Sequence, residues 1–136
     1  MKARNEKLIQ LAQDALNSND AIWITKDQSI LDAYNGQIAA LSVSVAISGL
    51  RPALVIYYQD KPSSGTRRKA NRRTILDLIA KMITLDDAYG YSFNNSNEFL
   101  RHALEERTDL KSLKKEVIEC AIALKQVVRT YNLVSK

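Results

Sequence analysis

From Leu110 onward, apolar residues recur at spacings of three and four: Leu110, Leu113, Val117, Ala121, Leu124, Val128 and Tyr131. At 3.6 residues per turn these side chains fall on one face, so the segment is constrained to a long amphipathic helix. Lys114, Lys115, Glu119, Lys125 and Arg129 occupy its other faces, and Thr108 or Asp109 stands where an N-cap belongs.

Three further segments carry the same period. Leu8, Ile9, Leu11, Ala12, Ala15 and Leu16 predict an N-terminal helix that ends in Asn17-Ser18-Asn19-Asp20. Ile75, Leu76, Ile79, Met82 and Ile83 predict a helix over 72–83. Ser96-Asn97-Glu98 can cap a short helix bearing Phe99, Ala103 and Leu104. Thr84–Asn95, interrupted by Gly90 and two asparagines, reads as a loop.

The middle of the chain admits two readings. Leu41, Val43, Val45 and Ile47 alternate with small residues, and Ala53–Tyr58 is a β-prone run, so a hairpin turning at Ser48-Gly49 fits. Equally, Leu31, Tyr34, Ile38, Leu41 and Val45 form a helical stripe, with Gly49 ending one helix and Pro52 beginning the next. Local periodicity does not choose between them. Helical neighbours on both sides favour the second, because two strands alone make a poor sheet. The expected fold is all-α: a compact single-domain bundle of about five to six helices spanning residues 1–136.

Length and composition agree with that expectation. One domain of 136 residues can bury a hydrophobic core. Only four glycines and two prolines argue against a turn-rich β-sandwich. The opening MKARNEKLIQ lacks the apolar centre of a signal peptide, and no run approaches a membrane span. A cytoplasmic chain with no membrane partner is expected.

Charge is concentrated. The run Lys61–Arg73, KPSSGTRRKANRR, holds Lys61, Arg67, Arg68, Lys69, Arg72 and Arg73 and no acid. The whole chain is +5, so these six cations leave the remainder at −1. A cluster of this kind can neutralise successive phosphates and release counterions. Charge alone also admits a solvated loop, which Pro62, Gly65 and two serines suit, lying over 60–73 between two helices. If six phosphates were contacted on a single strand, the log–log salt slope would be roughly −4. Such contacts carry no base information. Tyr57, Tyr58, Tyr89, Tyr91 and Phe93 could stack on bases, although Tyr57 and Tyr58 close an apolar run and read mainly as core. Trp23 likewise reads as a core anchor.

Chemistry-bearing constellations are few. His102 is the only histidine and Cys120 the only cysteine, which cannot make a zinc site without carboxylates. A helical ribonuclease of the Arg-x4–6-His type would need an arginine at Asn95, Ser96 or Asn97. Cys120 lies on the periodic face and reads as a small core residue. Asp86-Asp87 reads as a helix-end or turn pair ahead of a catalytic or metal-binding one. Neither a phosphate-cradling glycine loop nor a nucleophile elbow is present. No enzyme activity, metal or cofactor is expected.

The order of features resembles the small helical subunit of the type III-B CRISPR effector, the fifth subunit of the Cmr RNA-silencing complex. The resemblance rests on Tyr34, the apolar helix after it, Ser48-Gly49-Leu50 and Ala53-Leu54-Val55-Ile56-Tyr57-Tyr58, followed by a polar loop and further helices. Glu116–Tyr131 resembles that family's closing amphipathic helix. Many members have a proline where this chain has LSVSVAI, and a Trp-Leu pair where it has Ala123-Leu124. The resemblance implies a non-catalytic bundle that stacks with copies of itself beside the backbone subunits, contacts the large polymerase-like subunit and helps hold guide and target RNA in antiviral defence. The type III-A counterpart and a free-standing nucleic-acid-binding regulator are alternatives. Charge, independently of any family motif, marks Lys61, Arg67, Arg68, Lys69, Arg72 and Arg73 as RNA-backbone contacts, with Arg51 as a weaker candidate.

Overall fold

The stripe from Leu110 forms α6 (Leu110–Val128), around which the described chain is built. The structure, a computed structural model, describes residues 2–18, 28–60, 71–88 and 90–135. Among them lie six helices and two short strands: α1 (Lys2–Ser18), β1 (Ser29–Leu31), α2 (Asp32–Ser48), α3 (Leu50–Tyr58), α4 (Arg72–Leu85), α5 (Ser96–Leu104), α6 and β2 (Asn132–Val134). The all-α expectation holds. Trp23 and Tyr89 lie outside the described residues.

Asp109 begins α6 by accepting from Ser112 N–H at 3.2 Å and from Ser112 Oγ at 2.8 Å. The choice between Thr108 and Asp109 thereby falls to the carboxylate, which also suits the positive end of the helix dipole. The buried face of α6 packs against α1, α2 and α4. It includes Glu116 as well as the apolar stripe. Tyr131 is a correction. Helical geometry stops at Val128, and Tyr131 stands after the turn, its hydroxyl accepting from Gln13 Nε2 at 2.7 Å.

Residues 41–58 are helical, not a hairpin. Between α2 and α3, Gly49 adopts φ +99, which a side chain would strain. Its N–H still donates to Val45 O at 3.2 Å, so the first helix is closed where the second starts. Pro52 sits in the first turn of α3, where its missing N–H costs nothing.

Two helix ends differ from expectation. Asn95, not Ser96, caps α5: its Oδ1 accepts from Glu98 N–H at 2.9 Å while Glu98 Oε1 accepts from Asn94 N–H. Ser96 is buried, with its N–H donating to Asp77 Oδ1 at 2.9 Å. Helix α4 runs to Leu85, past the Thr84 boundary of the expected loop.

The strand pair was not visible in the sequence. Leu31, assigned to the helical stripe, belongs to β1, which pairs in parallel with β2 in the register Ser29 with Asn132 and Leu31 with Val134. The pairing ties the entrance of α2 to the chain just beyond α6.

Candidate nucleic-acid interface

The exit of the basic run is held in place by four groups. Asn71 caps α4, its Oδ1 accepting from Arg73 N–H at 3.0 Å. Its own N–H donates to Tyr34 Oη at 3.2 Å. Asp60 Oδ2 accepts from Arg72 N–H at 2.9 Å, and Thr74 Oγ1 donates to Asn71 O at 2.6 Å. The start of α4 is therefore fixed against α2 and the end of α3.

The arginines at this point divide. Arg73 turns inward: its Nε donates to Tyr58 O at 2.7 Å and its guanidinium lies 4.1 Å from the Tyr58 ring centroid. It caps the C-terminus of α3, where carbonyls lack helical partners and the dipole favours a cation. Arg72 is exposed, 5.7 Å from the Tyr57 ring, and makes no ion pair among the described residues. Lys61, Arg67, Arg68 and Lys69 lie outside the described residues.

Arg51 is tied into the bundle through backbone carbonyls. Its Nε donates to Ala103 O and its Nη2 to Glu105 O, both at 2.8 Å, closing the C-terminal end of α5. It is the only charged residue between Asp32 and Asp60. Apart from Arg51, neither α2 after Asp32 nor α3 carries a charged side chain.

The α2–α3 surface is apolar on its outer side. Helix α2 buries Tyr34, Ile38, Leu41 and Val45, yet Val43 and Ile47 on its other side are 56% and 79% exposed. Ile56 on α3 is 55% exposed. Between the two helices runs an open groove of about 460 Å³, floored by Ala33, Gly36, Ala40 and Ser44 and bounded by Ile56 and Tyr57. Arg72 stands at its edge. Tyr57 donates its hydroxyl to Gln37 O at 2.6 Å, and burial raises its phenol above the ordinary value despite Arg72 nearby.

Tyr91 and Phe93 of the later loop pack on the bundle. Phe93 is buried, with ring centroids 5.5 Å from Phe99 and 5.4 Å from His102. Thr84 Oγ1 accepts from Phe93 N–H at 2.8 Å and donates to Phe93 O at 3.1 Å. Tyr91 stacks on Phe93 at 5.7 Å and meets His102 edge-on at 5.3 Å. His102 thus packs within this cluster.

Asp86 and Asp87 serve a charge cluster missed by sequence reasoning. Arg4 Nη2 lies 2.7 Å from Asp86 Oδ2 and also meets Glu116 Oε2, while Arg4 Nε lies 3.6 Å from Glu119. Lys7 Nζ reaches Asp87 at 2.5 Å and Asp86 at 3.5 Å. Asp86 and Glu116 are buried. Burial, reinforced by the neighbouring Asp86 carboxylate, pushes the Glu116 carboxyl up to about 8. For Asp86, burial acts upward, but hydrogen bonds from Glu116, Arg4 and Ala88 N–H outweigh it and hold the carboxyl well below the usual range. Cys120 is buried, its Sγ 3.8 Å from Glu116 Oε1, and burial raises its thiol far above the ordinary value. The signal for Glu116 was its place: three residues after Leu113 and four before Cys120, on the apolar stripe.

Among the described residues no group of three His, Cys, Asp or Glu side chains is placed to hold a metal ion. No described helix is long and apolar enough to cross a membrane. Comparison with protein-family models, with curated proteins and with solved structures returns no match.

Proposed function

We propose that this chain is a non-catalytic scaffold subunit of an RNA-guided effector, the small helical subunit of a type III-B Cmr complex, working in the cytoplasm. The observation that carries the reading is an apolar face on α2 and α3 with Arg72, a member of the six-cation run in sequence, at its edge. Helix α2 has apolar residues on its outer side as well as its buried one, exposing Val43 and Ile47, as suits a helix covered by a neighbour. The face suits a protein neighbour: the backbone subunits, the large polymerase-like subunit or another copy of the chain. Arg72 at its edge, and the basic run to which it belongs in sequence, suit guide and target RNA backbones.

The division among the arginines shapes the test. Arg67, Arg68 and Arg72 changed together to Ala, with Arg73 left to cap α3, should weaken target-RNA retention by the purified complex while the complex still assembles. Retention unchanged from the native complex would remove RNA contact from the role.

A further inference from the structure

We propose that Arg4, Asp86 and Glu116 form a proton-linked latch, in which two buried carboxyls share one proton and its loss loosens the hold of α1 on the bundle. Arg4 lies on α1, Asp86 ends α4, and Glu116 lies in the middle of α6, so the three join separate elements. One guanidinium nitrogen faces both carboxyls: it lies 2.7 Å from Asp86 Oδ2 and meets Glu116 Oε2. Arg4 and Lys7 supply two positive charges against four carboxyls, Asp86, Asp87, Glu116 and Glu119, and a proton on the buried pair relieves the excess. Asp86 has the better claim to ionise. It accepts Ala88 N–H at 3.1 Å and lies 3.5 Å from Lys7, whereas among the described residues Glu116 has beyond this group the Cys120 thiol at 3.8 Å. Glu116 therefore keeps the proton.

Among the described residues, the charged groups around Glu116 come from three elements. Arg4 and Lys7 come from α1, and Asp86 and Asp87 from the turn after α4. Glu119 and Cys120 come from its own helix. Helix α2, also packed on α6, has no charge after Asp32. On α4, Arg73 is committed to Tyr58, Asp77 to Ser96 N–H, and Arg72 and Lys81 are exposed. A cavity of about 120 Å³ lined by Arg4, Asn5, Leu8, Glu119 and Ile122 adjoins the cluster, giving water a place beside Arg4 from which a proton can be exchanged.

The direction follows from linkage. Once α1 lifts away, Glu116 regains an ordinary carboxyl affinity and ionises above about pH 4.3. The closed form binds the extra proton up to about pH 8. Opening therefore becomes easier as pH rises between these limits, by up to about tenfold per unit, and stops changing above them.

Hydrogen exchange of α1 amides in the full chain, corrected for intrinsic rates, reads the opening directly. Between pH 5.5 and 8 the native protection factors should fall by up to about tenfold per unit. Glu116→Gln, which keeps the shape of the protonated side chain, should hold them level, and His102→Gln should behave as native. Native protection factors that do not change with pH, or an equal fall in Glu116→Gln, would overturn the latch. Carboxyl ¹³C NMR of the native chain covers the case of a variant that does not fold. One side-chain carboxyl should titrate above about pH 7, and every carboxyl titrating below about pH 6 would overturn it.

Discussion

Arg73 and Tyr58 form a closed unit: the guanidinium lies 4.1 Å from the ring centroid while its Nε donates to the same residue's carbonyl at 2.7 Å. The tyrosine also receives Asn97 Nδ2 on its hydroxyl at 2.9 Å, so the pair ties α3, α4 and α5 together. One arginine of the basic run is thus part of the bundle.

Separating the two neighbouring arginines tests that division. Arg73→Ala should destabilise the chain by about 1–2 kcal/mol, through the lost cap and cation–π contact. Arg72→Ala should leave stability within about 0.5 kcal/mol, as expected for an exposed site. Urea denaturation checks both.

Salt dependence gives a second measure. With Arg73 committed to Tyr58, five cations of the run remain for phosphates, and the log–log slope on single-stranded RNA should be roughly −3.5. Arg72→Ala should reduce its magnitude by about 0.7. Filter binding across a salt series reads this.

Arg51→Ala should weaken folding without touching RNA affinity. It removes two hydrogen bonds to the carbonyls that end α5, at a cost of about 1–3 kcal/mol. A thermal melt and the same filter assay separate the effects.

Stability should depend on pH in two windows. Glu116, raised to about 8, makes the folded chain bind an extra proton, so stability falls as pH climbs from about 4.3 to about 8 and is level above. Asp86, held low, contributes stability above its unfolded value near 3.9 that disappears as pH falls further. Chemical denaturation from pH 3 to 9 should therefore place the maximum near about pH 4–5. In Asp86→Asn, Glu116 is free to ionise against Arg4, so the decline toward pH 8 should flatten.

Much of this architecture was legible locally. Periodicity placed α1, α4, α5 and α6 within a few residues, because each buries one continuous face. Residues 41–58 were ambiguous for a physical reason: α2 has apolar residues on both its buried and exposed sides, so alternation and helical period coincide there. The strand pair joins residues about a hundred positions apart, with Asn132 Nδ2 donating to Ser29 Oγ at 3.2 Å. No window of sequence contains both partners. The same separation hid the Arg4–Glu116 contact. Charge located the basic run but could not show that Arg51 and Arg73 are held by backbone carbonyls.

The exposed face makes a prediction independent of RNA. Ile47→Asp and Ile56→Asp should leave the isolated chain folded, with stability within about 0.5 kcal/mol, since both side chains are largely solvated. Each should abolish co-purification of partner subunits, because a charge would be buried unpaired in the joint. A denaturation curve beside the pull-down distinguishes lost assembly from lost folding.

The central claim is tested most directly by purifying the tagged native chain from cells that express it and identifying the bound proteins and RNA. The account predicts recovery of Cmr backbone and large subunits with repeat-derived guide RNA. Recovery of the chain alone, or with unrelated partners and no guide RNA, would contradict it.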